Sequence, residues 1–150
     1  MVKVGDRAPD FELLSDTGNT VRLTDFTGKR VIVYFYPKAD TPGCTTQACA
    51  IQDLGPQIND AGVTVIGISP DSPDKLAKFR AKYGLEFSLL SDPDHSVAEA
   101  YGAWGEKSMY GKESQGILRS HAAIDKEGRI VVIKNNVKPL ETAALWEVWK

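Results

Sequence analysis

Apolar residues fall into two kinds of stretch along this chain: unbroken runs of strand length, and segments where they recur every three or four positions. The first run, Val31-Ile32-Val33-Tyr34-Phe35-Tyr36, is rich in β-branched and aromatic residues and predicts a strand buried on both faces. Val63-Thr64-Val65-Ile66-Gly67-Ile68 predicts a second and Phe87-Ser88-Leu89-Leu90 a third. Ahead of them, Phe11-Glu12-Leu13-Leu14 and Thr20-Val21-Arg22-Leu23 flank a turn over Ser15–Asn19, which predicts an N-terminal β-hairpin. Late in the chain, Ile117–Ile124 and Ile130–Lys134 flank the turn Asp125-Lys126-Glu127-Gly128-Arg129 and predict another hairpin.

Helical spacing fills the gaps. Ala48, Ile51 and Leu54 share one face until Gly55-Pro56 interrupts them; Ile58 and Ala61 continue as a short piece that Gly62 ends. Asp71-Ser72-Pro73-Asp74 signals a helix start, with Leu76, Phe79 and Tyr83 as the apolar face and Gly84 as the stop. Ser91-Asp92-Pro93-Asp94 caps another helix, whose inward residues are expected to be Val97, Ala100 and Tyr101. Leu140, Ala144 and Val148, spaced i, i+4, i+8, predict a closing helix from Leu140 to Trp149. Gly102 to Gly116, with Trp104, Lys107, Tyr110 and Lys112, lacks a regular pattern and reads as a long loop. Strands alternating with helices, then a hairpin and a last helix, predict an α/β fold with a mixed sheet covered on both faces.

Composition narrows the class. With 150 residues, 42% hydrophobic and 25% charged, the chain is expected to form one soluble globular domain over residues 1–150. A net charge of −2 and the lack of a Lys/Arg stripe argue against nucleic acid as a partner. The basic pairs Lys29-Arg30, Arg80-Lys82 and Lys107-Lys112 are separated and expected to be solvated. Met1 to Asp6 carries charges and a glycine where a signal peptide needs an apolar run, and no apolar stretch is long enough for a membrane span. The expected compartment is the cytoplasm. There Cys44 and Cys49, the two cysteines, read as redox or catalytic groups rather than a permanent staple. Their spacing to each other and to His95 and His121 fits no zinc ribbon, so no metal is expected.

Cys44 is the most reactive-looking position. Pro37 stops the first central strand, Pro42-Gly43 turns the chain, and Cys44 then opens a helix at the carboxyl end of that strand. The unpaired N–H groups of a helix N-terminus favour a thiolate. Polar neighbours Asp40, Thr41, Thr45 and Thr46 speak against a structural cysteine and for an exposed site. Thr41 reads as the N-cap ahead of Pro42 and equally as a hydroxyl aimed at the thiolate or its substrate. The Pro37 ring ends the strand and could shield the thiolate. Cys49 fits core packing beside Ala48 and Ile51, or a second thiol that condenses with an oxidised Cys44. Arg119 would stabilise a thiolate at any pH, although from the residues alone a solvated strand-end charge is the plainer reading. His95 is expected at an exposed helix start, and His121 on a strand, packed or lining a pocket. Asp92 and Asp94 read as a cap pair, and Trp104 as loop packing.

The run from Tyr34 to Cys49 (YFYPKADTPGCTTQAC), with the later SDP, AYGAWGEKSMYGKESQGILRS and AID-EG segments, resembles the peroxiredoxins. The likeness is greatest to the bacterioferritin comigratory protein, or peroxiredoxin Q, branch, and extends from about Val4 to about Lys134. It implies a thioredoxin-like fold, a peroxidatic Cys44 in a site completed by Pro37, Thr41 and Arg119, and a resolving Cys49. It implies no cofactor, a hydroperoxide substrate and thioredoxin as the reductant of a Cys44–Cys49 disulfide. Because resolution within one chain needs no second copy, a monomer is expected. Three positions depart from the family pattern: Gln47 replaces a usual glutamate, His121-Ala122 a usual threonine and bulky apolar residue, and Asn135–Leu140 a usual glycine-histidine turn.

Two other functions compete with this reading. A protein disulfide oxidoreductase would prefer C-x-x-C, a spacing that Cys44 and Cys49 do not have. A redox-sensing module would react slowly with peroxide and would not turn over with thioredoxin.

Overall fold

A computed structural model describes residues 2–109 and 111–150. Its strands are β1 (Glu12–Ser15), β2 (Thr20–Arg22), β3 (Arg30–Phe35), β4 (Val63–Ser69), β5 (Ser88–Ser91), β6 (Trp104–Met109), β7 (Lys112–Ile117), β8 (Ser120–Ile124) and β9 (Ile130–Lys134). Seven of them form one mixed sheet in the order β2-β1-β5-β4-β3-β8-β9. The helices are α1 (Pro42–Asp53), α2 (Gly55–Asp60), α3 (Pro73–Tyr83) and α4 (Ser96–Ala100), with 3-10 turns at Leu23–Phe26 and Thr142–Trp149. Among the described residues no helix is long and apolar enough to cross a membrane.

Strand β3 organises the core because both of its faces are buried. Val31, Val33 and Phe35 join Ile66, Ile68, Leu90, Val97 and Tyr101 on one side of the sheet. Ile32, Tyr34 and Tyr36 join Ala48, Ile51, Leu76, Phe79 and Leu89 on the other. This period-two division is why an unbroken apolar run, rather than an alternating one, marks the strand. β3 pairs parallel with β4 across the α1–α2 crossover and antiparallel with β8. Tyr34 lies beside Gly67 in the β3–β4 register, and a Cβ on Gly67 would come within 2.9 Å of the Tyr34 ring. The glycine in the second predicted strand therefore makes room for an aromatic side chain on its neighbour.

Four expectations change. The segment predicted as a long loop contains a two-stranded antiparallel ribbon, β6 with β7, in register Trp104↔Ile117 to Met109↔Lys112; Tyr110 lies outside the described residues. The predicted strand from Ile117 to Ile124 is consequently two, with Ile117 ending β7 and Ser120 starting β8. The C-terminal element is a 3-10 turn, whose repeat of three places Ala143, Trp146 and Trp149 against the core, while Leu140, Ala144 and Val148 are exposed. In α4 the inward residues are Val97 and Ala98, and Ala100 is exposed.

The basic pairs also divide. Arg80 is no solvated charge: it donates to both carboxylate oxygens of Asp16 and to the carbonyls of Leu85 and Phe87, tying α3 to the strands on either side. Arg30 donates to the Ala61 carbonyl and lies over the Trp149 ring. Asp92 and Asp94 cap α4 as expected, accepting from the N–H groups of Val97, Ala98 and Ser96.

Candidate active site

Sheet register brings Cys44 and Arg119 together. β3 runs into the loop that precedes α1, so Cys44, third residue of that helix, sits at the strand's carboxyl end. β8 runs the opposite way with Ser120 opposite Phe35, so Arg119, one residue earlier, reaches the same place. Its Nη2 donates to Cys44 Sγ at 3.4 Å and its Nη1 to Gln47 Oε1 at 2.5 Å. Gly43 permits this approach, since a Cβ there would stand 3.0 Å from Arg119 Nη2. The solvated strand-end reading of Arg119 therefore gives way to a half-buried contact.

Cys44 is buried, at 1% exposure, where its polar neighbours had predicted an open site. The cause is helical geometry: Cys44, Gln47, Ala48 and Ile51 form the face of α1 turned to the sheet, and Thr45 and Thr46 point away. The first backbone bond of α1 is donated by Thr45 N–H to the Thr41 carbonyl, so the N–H groups of Gly43 and Cys44 belong to the unpaired first turn. Thr41 is the N-cap by backbone conformation, but its hydroxyl donates to the Lys38 carbonyl at 2.7 Å instead of serving as a cap acceptor. Cys49, five residues on, is half-buried, and burial followed by Asp53 raises its pKa. Both cysteines are free thiols.

The loop ahead of α1 is held from outside. Ala39 N–H donates to Asp71 Oδ2 at 2.7 Å, and Asp71 also accepts from Ser69 Oγ. Asp40, at φ 62°, accepts from Lys82 Nζ and the Tyr83 hydroxyl. Neither aspartate carries a sequence signal for this job, since both partners come from distant elements.

Pro37, Lys107, Leu118, Arg119, Asn136 and Val137 line a cleft of about 390 Å³ leading to Arg119. Glu106 stands exposed at its rim. Lys107 arrives on β6, and burial, then Arg119, lowers its pKa. A larger groove of about 530 Å³ between α2 and strands β4 and β5 contains none of Cys44, Thr41 or Arg119. His95 stacks on Trp104 at 3.6 Å between ring centroids, away from the thiol contacts just described.

His121 is packed rather than exposed to the cleft: its Nδ1 lies 2.9 Å from Thr142 Oγ1, and burial pushes its pKa down to about 4. Glu141 and Lys134 are the charged groups that act on it, with opposite signs. An unfolded chain would take up this proton near pH 6.5 and the folded chain only near 4. The stabilisation is thus complete above pH 6.5 and lost as pH falls through that window. The difference between pH 7.5 and 4.5 is expected to be about 2–3 kcal/mol. Urea unfolding at the two pH values should show a smaller drop in His121→Gln than in the unsubstituted protein, the carboxylates being common to both. Identical drops would assign the pH dependence elsewhere.

A sheet of this topology, with a helix-borne thiol against a guanidinium, is the frame of a thiol-based redox enzyme. Residues 4–133 match the AhpC/TSA family. A Mycobacterium tuberculosis protein classed with the peroxiredoxins is 57% identical over 134 residues, 89% of this chain and 85% of that protein. Peroxiredoxin Bcp of Escherichia coli is 52% identical over 137 residues, covering 91% and 88%. The bacterioferritin comigratory protein of Xanthomonas campestris, whose alkyl peroxide reduction has been studied in trapped intermediate and ligand complexes, superposes with a TM-score of 0.89 at 33% identity, over 99% of this chain and 96% of that one. The chain belongs to the AhpC/TSA family, the peroxiredoxins. Its fold is thioredoxin-like, and it is a thiol peroxidase.

Proposed function

We propose that Cys44 is the peroxidatic cysteine and Cys49 the resolving one, in a peroxidase cycle served by a dithiol reductant of the thioredoxin type. The contact between Arg119 Nη2 and Cys44 Sγ, in the first turn of α1, carries the assignment. The Cys44 thiolate attacks the terminal oxygen of hydrogen peroxide or an alkyl hydroperoxide, and the O–O bond breaks. The sulfur is oxidised to a sulfenic acid, and the other oxygen leaves as water or an alcohol after taking a proton. Charge developing on the leaving oxygen meets Arg119 and the free N–H groups of the first turn, fixed in place before the reaction. With its own proton committed to the Lys38 carbonyl, the Thr41 oxygen is left to accept the hydroperoxide O–H. Pro37 lines the cleft beside Arg119.

Cys49 then displaces water from the sulfenic acid, giving a Cys44–Cys49 disulfide that an external dithiol reduces. This cycle is complete within one chain, which supports a monomer, and its free thiols suit the reducing cytoplasm. Peroxide consumption in the presence of thioredoxin, thioredoxin reductase and NADPH tests the whole proposal. Turnover with glutaredoxin and glutathione alone would replace the reductant; no turnover with either would reject the cycle.

Arg119→Met keeps the bulk of the side chain and removes its charge. The expected result is slower oxidation of Cys44 by roughly a hundredfold, as for loss of one charge-stabilising donor. Stopped-flow oxidation would measure it. If the rate does not change, the contact is structural only.

A further inference from the structure

Beyond Arg119, a line of hydrogen bonds continues away from the thiol into the C-terminal turn. Gln47 Oε1 accepts from Arg119, Gln47 Nε2 donates to Thr142 Oγ1 at 3.0 Å, and Thr142 Oγ1 lies 2.9 Å from His121 Nδ1. Gln47, Thr142 and His121 are all buried, and none belongs to the reacting group.

The chemistry of the guanidinium and the amide fixes the direction of the first two bonds. A guanidinium only donates, so the Gln47 atom facing Arg119 must be the oxygen. An amide can turn over, and turned over it would set its NH₂ against the guanidinium N–H groups. The guanidinium on one side and the Thr142 oxygen, an acceptor for the amide NH₂, on the other together oppose this. Thr142 Oγ1 also meets His121 Nδ1, which takes the hydroxyl proton in the neutral tautomer that carries its own proton on Nε2. Burial keeps it neutral, its pKa lying near 4.

We infer that Thr142, backed by His121, is a positioning residue that fixes the amide orientation of Gln47 and thereby holds Arg119 on Cys44. The inference rests on the assignment of Cys44 and Arg119 to the peroxide chemistry. A carboxylate at position 47 presents an acceptor whichever way it turns and needs no orienting partner. An amide does, and the Thr142–His121 pair supplies one.

That difference supplies the test. Single-turnover oxidation of Cys44 by hydrogen peroxide is measured in the unsubstituted protein, Thr142→Val, Thr142→Ser, Gln47→Glu and the double variant Gln47→Glu/Thr142→Val. Thr142→Val should slow oxidation roughly tenfold, the rate effect of about 1.4 kcal/mol. Thr142→Ser should restore it. In the Gln47→Glu background, Thr142→Val should change the rate by less than about twofold, because the carboxylate has no orientation to lose. A packing role for Thr142 would slow both backgrounds equally, and that result, or no slowing in either, overturns the inference. If the unsubstituted protein does not oxidise at Cys44, the underlying site assignment fails instead.

Discussion

Cys44→Ser is expected to abolish peroxide consumption, with a loss of roughly 10⁴-fold or more, as for removal of an enzymatic nucleophile. Serine keeps the size and the fold but ionises far above neutral pH, so neither Arg119 nor the helix N-terminus has a thiolate to stabilise. Cys49→Ser should behave differently. Its first oxidation should proceed at nearly the unsubstituted rate, because the half-buried Cys49 lies five residues from Cys44 on α1, turned about 140° away from it. Turnover with thioredoxin should then stop, the sulfenic acid having no partner in the chain. Stopped-flow single-turnover traces beside steady-state assays of both variants separate the two roles. Full activity in Cys44→Ser would remove Cys44 from the mechanism, and full turnover in Cys49→Ser would point to resolution by another thiol.

What the sequence made legible was local. The apolar run of β3, the Pro42-Gly43 turn and the start of α1 at Pro42 could be read because strand burial, proline and helix starts leave marks within a few residues. The ribbon β6–β7 left none. It contributes few apolar side chains, so neither strand alternates. The closing turn misled because a helical repeat was sought where the chain follows a repeat of three.

Long-range register was harder still. Arg119 reaches Cys44 because β8 pairs antiparallel with β3, and the bond between Gln47 and Thr142 joins residues 95 apart. Only the fold brings Gln47 and His121 to opposite sides of one threonine hydroxyl.

Oxidation should unwind the first turns of α1. Cys44 and Cys49 lie five residues apart on that helix, and both are free thiols. Five residues of α-helix advance about 7.5 Å and rotate about 140°, leaving the Cα atoms about 8.6 Å apart. A disulfide requires them within about 7 Å, so the helix must give way before the sulfurs can bond. Resistance comes from Arg119 on Cys44 and Gln47, and from Thr142 on Gln47. The reduced protein is therefore expected to hold Cys44 in its pocket until oxidation changes the sulfur that Arg119 contacts. Gly43 near one end and Gly55-Pro56 beyond the other are the weak points at which the segment can open. Amide hydrogen exchange from Thr41 to Leu54 should accelerate roughly tenfold or more on oxidation, while β3 and β4 keep their protection. The same change should move Trp146 and Trp149, which pack in the cluster containing Cys44, Ala48 and Ile51, and so alter tryptophan emission. If mass spectrometry confirms the Cys44–Cys49 bond and exchange across α1 is the same in both states, the helix accommodates the disulfide without unwinding and the idea is wrong.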